Sequence, residues 1–173
     1  MNNSQIPFEV KSLEKDGVFS GYASVFGVLD NHQDVMVKGA FTETLKNKKD
    51  IKLLWQHQTD KPIGVFTIIR EDVHGLYVEG KLLLEVQQAK EAYELMKNGA
   101  VRGMSIGYSV KDASYDDENI RYLTNVELFE ISLVTFPANE HAEIIAVKDS
   151  GNASEYKCLK KAIERAMSVI RVQ

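Results

Sequence analysis

Apolar and polar residues alternate with a period of two over several short stretches in the first half of the chain. This alternation is typical of strands with one buried face, and turn-forming residues separate the stretches. A short helix is predicted at residues 39–47. The predicted strands cover residues 8–13, 17–26, 52–56, 63–69 and 76–84. The first half is therefore predicted to fold as a series of half-buried antiparallel strands.

The second half contains one clear helix. Residues 86–98 carry apolar side chains at helical spacing, and Gly99 follows as a C-terminal stop. Further strands are predicted at residues 104–110, 120–136 and 142–147. Because strands and helices do not alternate regularly, a parallel sheet is not expected. The pattern predicts a mainly β (α+β) fold, a largely antiparallel barrel or sandwich with a few helices outside it.

The composition changes at residues 148–154, after which one apolar helical stripe runs from Tyr156 to Ile170. We therefore predict a folded domain over residues 1–147, followed by a linker and an amphipathic helix over residues 148–173. The stripe has three interpretations. It packs back on the domain, it mediates self-association, or it leads into a tail that is removed.

Length and composition restrict the classes of protein to consider. A chain of 173 residues with 44% hydrophobic and 27% charged residues is expected to form one globular domain. The net charge of −4 and the scattered basic residues give no reason to expect nucleic acid as a ligand. The single Cys158 cannot form an intrachain disulfide, which fits a reducing cytoplasm. We expect neither a standard export signal nor membrane insertion, because the sequence contains no signal-like N-terminus and no long apolar run.

Ser105 is the first candidate for chemistry. Gly103 and Gly107 flank it two residues away on either side, which leaves open backbone space around the hydroxyl for a substrate carbonyl. The same Gly-x-Ser-x-Gly spacing occurs at the nucleophile of α/β-hydrolases, but there a helix follows the serine, whereas a strand is predicted after Ser105. On these residues alone, a structural serine beside two close-packing glycines remains the simpler interpretation.

His57 is the second candidate, at the end of the predicted strand segment 51–57. Strand period places it on the apolar face of that segment, at the rim of the core. An imidazole there is partly shielded and still reachable, as a general base near neutral pH requires. A structural histidine is the alternative. The other histidines fall in predicted turns or strand ends, and their spacing matches no zinc site, so no metal or other cofactor is expected.

Glu130 is the third candidate. It lies in the strongly β-prone run 126–134, on a face that is otherwise largely apolar, so that its charge is costly to bury without a partner. His57 would be such a partner, and the carboxylate would then fix the tautomer of the imidazole. A solvent-exposed position at the strand rim is the alternative. Glu127 points to the opposite face and is the reserve candidate.

Four blocks of sequence together resemble the prohead proteases of tailed phages, a family related to the herpesvirus assemblins. Each block is ordinary alone, but their order and spacing agree with the family over about residues 7–147. The blocks are residues 21–41, 53–64, 103–108 and 130–139. The resemblance implies an assemblin-like antiparallel β-barrel surrounded by a few helices, and a serine endopeptidase that needs no metal or cofactor.

The resemblance also implies roles for individual residues. Ser105 would be the nucleophile, His57 the general base, and Glu130 the third member, a glutamate where assemblins have a second histidine. By position relative to that third member, the backbone around Ala138 and Asn139 is the expected source of oxyanion-hole donors. A weaker candidate for this role is Arg102.

The partners implied by the resemblance are the major capsid protein and scaffold segments of a phage, as substrates. A homodimer is expected because assemblins work as dimers. The expected location is the host cytoplasm, inside the procapsid of a phage or prophage, with no nucleic acid or membrane as partner. Two alternatives stay open: a non-catalytic procapsid- or scaffold-binding barrel with a structural Ser105, and an esterase-type hydrolase that uses the same serine and histidine.

Overall fold

The structure is a computed structural model that describes residues 17–47 and 50–147. Within these ranges it contains eight strands and two helices. In chain order they are β1 (Val18–Val25), β2 (Asp34–Met36), α1 (Thr42–Lys46), β3 (Lys52–Trp55), β4 (Gln58–Glu71), β5 (Gly75–Leu82), α2 (Gln87–Lys97), β6 (Gly103–Tyr115), β7 (Arg121–Val134) and β8 (Ile144–Val147). The strand predicted at residues 8–13 and the helical stripe from Tyr156 to Ile170 lie outside the described residues.

All eight strands join one sheet. Its order is β2, β7, β3, β4, β5, β1, β8, and β6 pairs with β7 outside this path. Neighbouring strands are antiparallel, except that β2 and β3 both run parallel to β7. The mainly β fold with few helices is therefore confirmed, and the two parallel pairings are a feature that the sequence did not predict.

Closure of the sheet into a barrel is not confirmed, because the strand pairings of the described residues follow an open path. Additional backbone contacts lie near the two ends of this path. The amide of Tyr22 in β1 donates to the carbonyl of Glu143 at 3.0 Å, and the amide of Met104 in β6 donates to the carbonyl of Ala142 at 2.8 Å. The segment before β8 thus contacts both β1 and β6.

The core lies against the sheet and receives one face of α2. This helix buries the residues that its apolar spacing predicted, Ala89, Ala92, Tyr93 and Met96. Gly99 then adopts a φ of 71°, a left-handed conformation that glycine reaches without a Cβ penalty, and the helix ends. The largest fully buried side chains of the sheet and loops are Phe19, Phe41, Leu53, Ile63, Leu76, Leu82, Met104, Leu123, Leu128, Ile131 and Leu133.

The antiparallel ribbon of β6 and β7 positions most of the polar residues discussed below. Its register pairs Ser105 with Ser132 and Gly107 with Glu130. Directly paired residues of neighbouring strands project to the same face of a sheet. On its other edge β7 pairs with β3, so the turn that follows β3 lies beside the same face.

Candidate active site

Ser105 lies in β6 and is nearly buried, with 7% of its surface exposed. Its neighbours along the strand, Met104 and Ile106, project to the other face and belong to the core or pack against it. The remaining surface of Ser105 lines a cleft of about 500 Å³. A shielded hydroxyl that faces a cleft can meet a substrate while little water competes for it.

His57 lies in the two-residue turn that joins β3 to β4, and not in the strand that the sequence predicted. Trp55 pairs with Gln58 across the hairpin, and the two residues between them, Gln56 and His57, have positive φ angles of 51° and 59°. Positive φ at both central residues is the feature of a type I′ hairpin turn, which usually contains Asn and Gly. The face alternation used to orient His57 therefore does not apply to it.

The turn is held in this conformation by contacts to β7 and the chain after it. The amide of Gln56 donates to the carbonyl of Leu133 at 3.0 Å, and its side chain donates to the hydroxyl of Thr135 at 2.8 Å. A non-glycine residue in a sparsely populated backbone region costs about 1–3 kcal/mol and persists only where its surroundings enforce it. The contacts to β7 and Thr135 therefore keep the turn in a strained conformation, which fixes the direction of the His57 side chain.

His57 and Glu130 are in direct contact. Nδ1 of His57 lies 2.6 Å from Oε1 of Glu130, and the imidazole is 45% exposed while the carboxylate is 13% exposed. With the proton on Nδ1, the histidine donates to the carboxylate and leaves Nε2 as a proton acceptor. The hydrogen bond to Glu130 raises the pKa of His57 above its ordinary value, although partial burial acts in the opposite direction.

Ser132 contacts both members of this pair. Its hydroxyl donates to Oε2 of Glu130 at 2.7 Å and accepts from the backbone amide of His57 at 3.1 Å. Each oxygen of the Glu130 carboxylate therefore has its own partner. Strand period is enough to place Ser132 on the same face as Glu130, but its hydrogen bond to the turn depends on the parallel pairing of β3 with β7, which the sequence did not predict.

Gly107 provides the space that the carboxylate occupies. A Cβ at this position would lie 2.3 Å from Oε1 and 2.9 Å from Cγ of Glu130, both well inside van der Waals contact. The second glycine of the Gly-x-Ser-x-Gly spacing thus accommodates the Glu130 side chain across the ribbon. The absence of a Cβ at Gly107 allows the side chain of Glu130 to approach closely, and the sequence pattern alone did not identify this neighbour.

The cleft brings together Ser105, His57, Ala138 and Asn139. The side-chain amide of Asn139 donates to the carbonyl of Val25 at 2.9 Å and its side-chain oxygen accepts from a backbone amide, so the side chain anchors the loop. Because the Asn139 side chain is engaged in these contacts, the backbone amides of Ala138 and Asn139 are the candidate donors to a substrate. Arg102 lines a separate depression with Phe136 and Glu140, away from this cleft.

Another part of the cleft wall carries a charged cluster. Arg121 donates to both oxygens of the buried Asp34 at 2.7 and 2.6 Å, a bidentate pair. Burial, together with the nearby Asp34 carboxylate, raises the pKa of Tyr108 to about 12, so this phenol stays protonated at neutral pH. Asp30 and the exposed His32 also line the cleft.

Glu127, the reserve candidate, does not contact His57. Its Oε2 lies 2.6 Å from Nζ of Lys111 on the neighbouring strand. Among residues 17–47 and 50–147, no three acidic, histidine or cysteine side chains converge on a point that could hold a metal ion. Nor does the part of the chain that the structure describes contain a helix long and apolar enough to cross a membrane.

Comparisons with known proteins identify relatives of this chain. The chain is 40% identical over 141 residues to the prohead protease of Enterobacteria phage HK97, a match that covers 78% of this chain and 61% of that protein. The match thus spans less than two thirds of this relative.

Two solved structures share the fold. The capsid assembly protease of bacteriophage T4 matches with a TM-score of 0.52 and 10% identity, over 68% of this chain and 82% of that chain. The KSHV protease, solved with a hexapeptide phosphonate inhibitor, matches with a TM-score of 0.51 and 9% identity, over 73% of this chain and 63% of that chain. At these identities the likeness concerns the fold alone, and it supports the predicted similarity to herpesvirus proteases.

The family itself follows from sequence. A family model described as caudovirus prohead serine protease matches residues 6–157. This range includes β6, β7 and the turn after β3, and so every residue of the cleft considered above. Since the match covers most of the chain, this protein belongs to the caudovirus prohead serine protease family.

Proposed function

We propose that this chain is a serine endopeptidase that cleaves scaffold and capsid protein segments during maturation of a phage procapsid. Ser105 is the nucleophile, His57 the general base and Glu130 the residue that orients the histidine. The observation that carries this proposal is the 2.6 Å contact between Nδ1 of His57 and Oε1 of Glu130, beside a cleft that His57 and Ser105 both line. Family membership supports the same conclusion.

In the proposed mechanism, Nε2 of His57 takes the proton of the Ser105 hydroxyl as its oxygen attacks the scissile carbonyl. The imidazolium formed in this step is stabilised by the Glu130 carboxylate. His57 then gives the proton to the leaving amine, which leaves an acyl-enzyme on Ser105. Water enters by the same route, deprotonated by His57, and the free acid is released.

The tetrahedral intermediate places a negative charge on the former carbonyl oxygen. We propose the backbone amides of Ala138 and Asn139 as its donors, because the loop that carries them lines the cleft and is anchored by the Asn139 side chain. Donors that are fixed before the reaction need no reorganisation, and loss of one such donor typically lowers the rate by about 100- to 1000-fold.

The proposal for the substrates is based on the names of the similar proteins. The HK97 relative is named a prohead protease and the T4 structure a capsid assembly protease. By analogy we propose that this chain acts in the host cytoplasm, inside a procapsid, on the major capsid protein and its scaffold, and that neither nucleic acid nor a membrane is a partner.

The test is co-expression of the full chain with the proposed substrate, the major capsid protein of the same phage, followed by intact-mass analysis of both polypeptides. The expected result is discrete fragments of the capsid protein that are absent with Ser105→Ala. Intact capsid protein with both forms would favour a binding barrel over an enzyme. Turnover of small esters without cleavage of any capsid or scaffold protein would favour an esterase.

We further propose that the sheet closes into a barrel through residues 142–144. This segment accepts from Tyr22 in β1 through Glu143 and from Met104 in β6 through Ala142. Gly103 and Glu143 also form an isolated antiparallel bridge. A closed sheet has no free edges, which protects the long β6 and β7 ribbon from pairing with other chains.

The enzyme is proposed to act as a weak homodimer, from the apolar stripe predicted between Tyr156 and Ile170 and from the resemblance to assemblins. We expect the activity per chain to rise with enzyme concentration, because mass action favours the dimer. Dilution assays combined with sedimentation measure both quantities. Constant specific activity from a monomer over a wide dilution series would contradict the proposal.

The pH dependence should report the contact between His57 and Glu130. Only neutral His57 can accept the serine proton, so kcat/KM falls as pH drops below the pKa of this histidine. Because the hydrogen bond to Glu130 raises that pKa, we expect the low-pH limb to lie above the ordinary histidine value of about 6.5. In Glu130→Gln the limb should move to lower pH, and an unmoved limb would refute the assignment.

Gly107→Ala should disturb the site without unfolding the chain. The new methyl would overlap the Glu130 carboxylate, which must leave its place against His57. Since a displacement of about 1 Å can cost about 100-fold in rate, we expect a loss of that order in kcat. Circular dichroism checks that the fold is retained. A folded variant with the parent's kcat would show that the position of Glu130 is not critical.

A further inference from the structure

Ser132 is a buried polar residue that the mechanism above does not use. It lies in β7 with none of its surface exposed, directly across the ribbon from Ser105. Its hydroxyl makes two hydrogen bonds, as donor to Oε2 of Glu130 at 2.7 Å and as acceptor from the amide of His57 at 3.1 Å. A buried hydroxyl with both functions satisfied is held in one orientation.

We propose that Ser132 is a positioning residue that locks the Glu130 carboxylate and the His57 turn to each other. This inference rests on the proposed function, since it assigns Ser132 a part in the same reaction. Ser132 is not itself a second nucleophile, because it is inaccessible and its proton is directed at Glu130.

The first effect of Ser132 is on the carboxylate. Glu130 has a longer side chain than the aspartate of a Ser-His-Asp site and therefore more rotamers to lose. With Oε1 bound to His57 and Oε2 bound to Ser132, rotation of the carboxylate breaks both hydrogen bonds at once. Ser132 thus keeps Oε1 directed at Nδ1.

The second effect is on the turn. His57 has a φ of 59°, and its amide points at the Ser132 hydroxyl. A side chain in a strained turn holds its direction only while the backbone is held, and the Ser132 oxygen is a partner that fixes that backbone. One hydroxyl therefore sets both ends of the contact between His57 and Glu130.

The charged surroundings do not supply a substitute for Glu130. The other titratable or charged groups that line the cleft with His57 are Asp30, His32, Tyr108, Asp34 and Arg121, and the last two are paired with each other. From β3, Lys52 is the cross-strand neighbour of Glu130, but its ammonium group pairs with Asp50. Among the described residues, Glu130 is the acidic group in contact with the imidazole.

The test is Ser132→Ala in the full chain, with kinetics and an NMR titration of the His57 imidazole. We expect kcat to fall by about 10- to 100-fold with KM within about 3-fold of the parent, because positioning is lost but the cleft is not. The pKa of His57 should move down towards its ordinary value, since the hydrogen bond that raises it is occupied less of the time. Unchanged kcat and an unchanged His57 pKa would overturn the proposal.

Thr44 offers a matched control. Its buried hydroxyl also contacts β7 twice, as donor to the carbonyl of Val126 at 2.7 Å and as acceptor from the amide of Leu128 at 3.1 Å, far from His57 in the sheet register. Thr44→Val should lower the stability of the fold and leave kcat and the His57 titration as in the parent. If Thr44→Val and Ser132→Ala lowered kcat equally, Ser132 would have only a structural role.

Two further variants test whether the Ser132 hydroxyl acts through the contact between His57 and Glu130. Ser132→Cys keeps a weaker donor and should lie between the parent and Ser132→Ala. Because both changes disturb the contact between His57 and Glu130, Ser132→Ala should lower kcat less when it is added to Glu130→Gln than when it is made in the parent, whereas full additivity would contradict the proposal. The titration needs no substrate, so a failure of the proposed protease activity and a failure of this inference are recorded by different measurements.

Discussion

His57→Ala is expected to lower kcat/KM for cleavage of a capsid substrate by about a million-fold, the scale of losses when a serine protease loses its base or nucleophile. Without the imidazole, the chain loses the group that we propose takes the Ser105 proton and returns it to the leaving amine. Cleavage of the capsid protein, followed by intact mass over long incubation, measures a loss of this size.

The control for this variant is His74→Ala. His74 lies in the turn before β5, where its ring is in edge contact with Tyr22 at 6.1 Å, and it does not line the cleft. This variant should cleave at the parent's rate. Because nucleophile and base act as a unit, Ser105→Ala combined with His57→Ala should be no slower than either single variant. More than about one per cent of parental activity in His57→Ala would exclude His57 as the base.

Glu130→Gln is expected to lower kcat by at least about 100-fold. Glutamine keeps the shape and can still hydrogen-bond, but it lacks the charge that stabilises the imidazolium, and the corresponding change in a Ser-His-Asp protease costs about 10,000-fold. The expected loss is smaller here, in the usual range for positioned acid–base groups, because a glutamate reaches its histidine through a more flexible chain. Steady-state kinetics at matched folded content provide the measurement.

Glu127→Gln is the matched comparison, since it makes the same change three residues away in β7. Glu127 contacts Lys111 and not His57, so this variant should stay within a few-fold of the parent. Partly exposed ion pairs contribute little to stability, and the fold should be unaffected. The reverse ranking of the two variants would mean that the third member is misassigned, while the Ser105 and His57 assignments would remain.

Much of the fold and the identity of the candidate residues could be predicted from the sequence. The helix over Gln87–Lys97 and the central parts of all the described strands except β2 follow from apolar spacing, since burial of one face imposes a period on the chain itself. The short β2 was not predicted. The choice of Ser105, His57 and Glu130 depended on four sequence blocks in a fixed order. Both kinds of signal are local or ordered along the chain, so they can be detected without coordinates.

Only the tertiary structure decided how these residues meet. The parallel pairing of β3 with β7 brings the turn of His57 to Glu130, and the register of β6 against β7 sets Gly107 beneath the carboxylate and Ser132 across from Ser105. The positive φ of His57 is enforced by contacts from residues more than seventy positions away. Pairing partner and register result from packing the whole sheet, in which a shift of one residue would reverse every side chain, and no single segment of sequence contains that information.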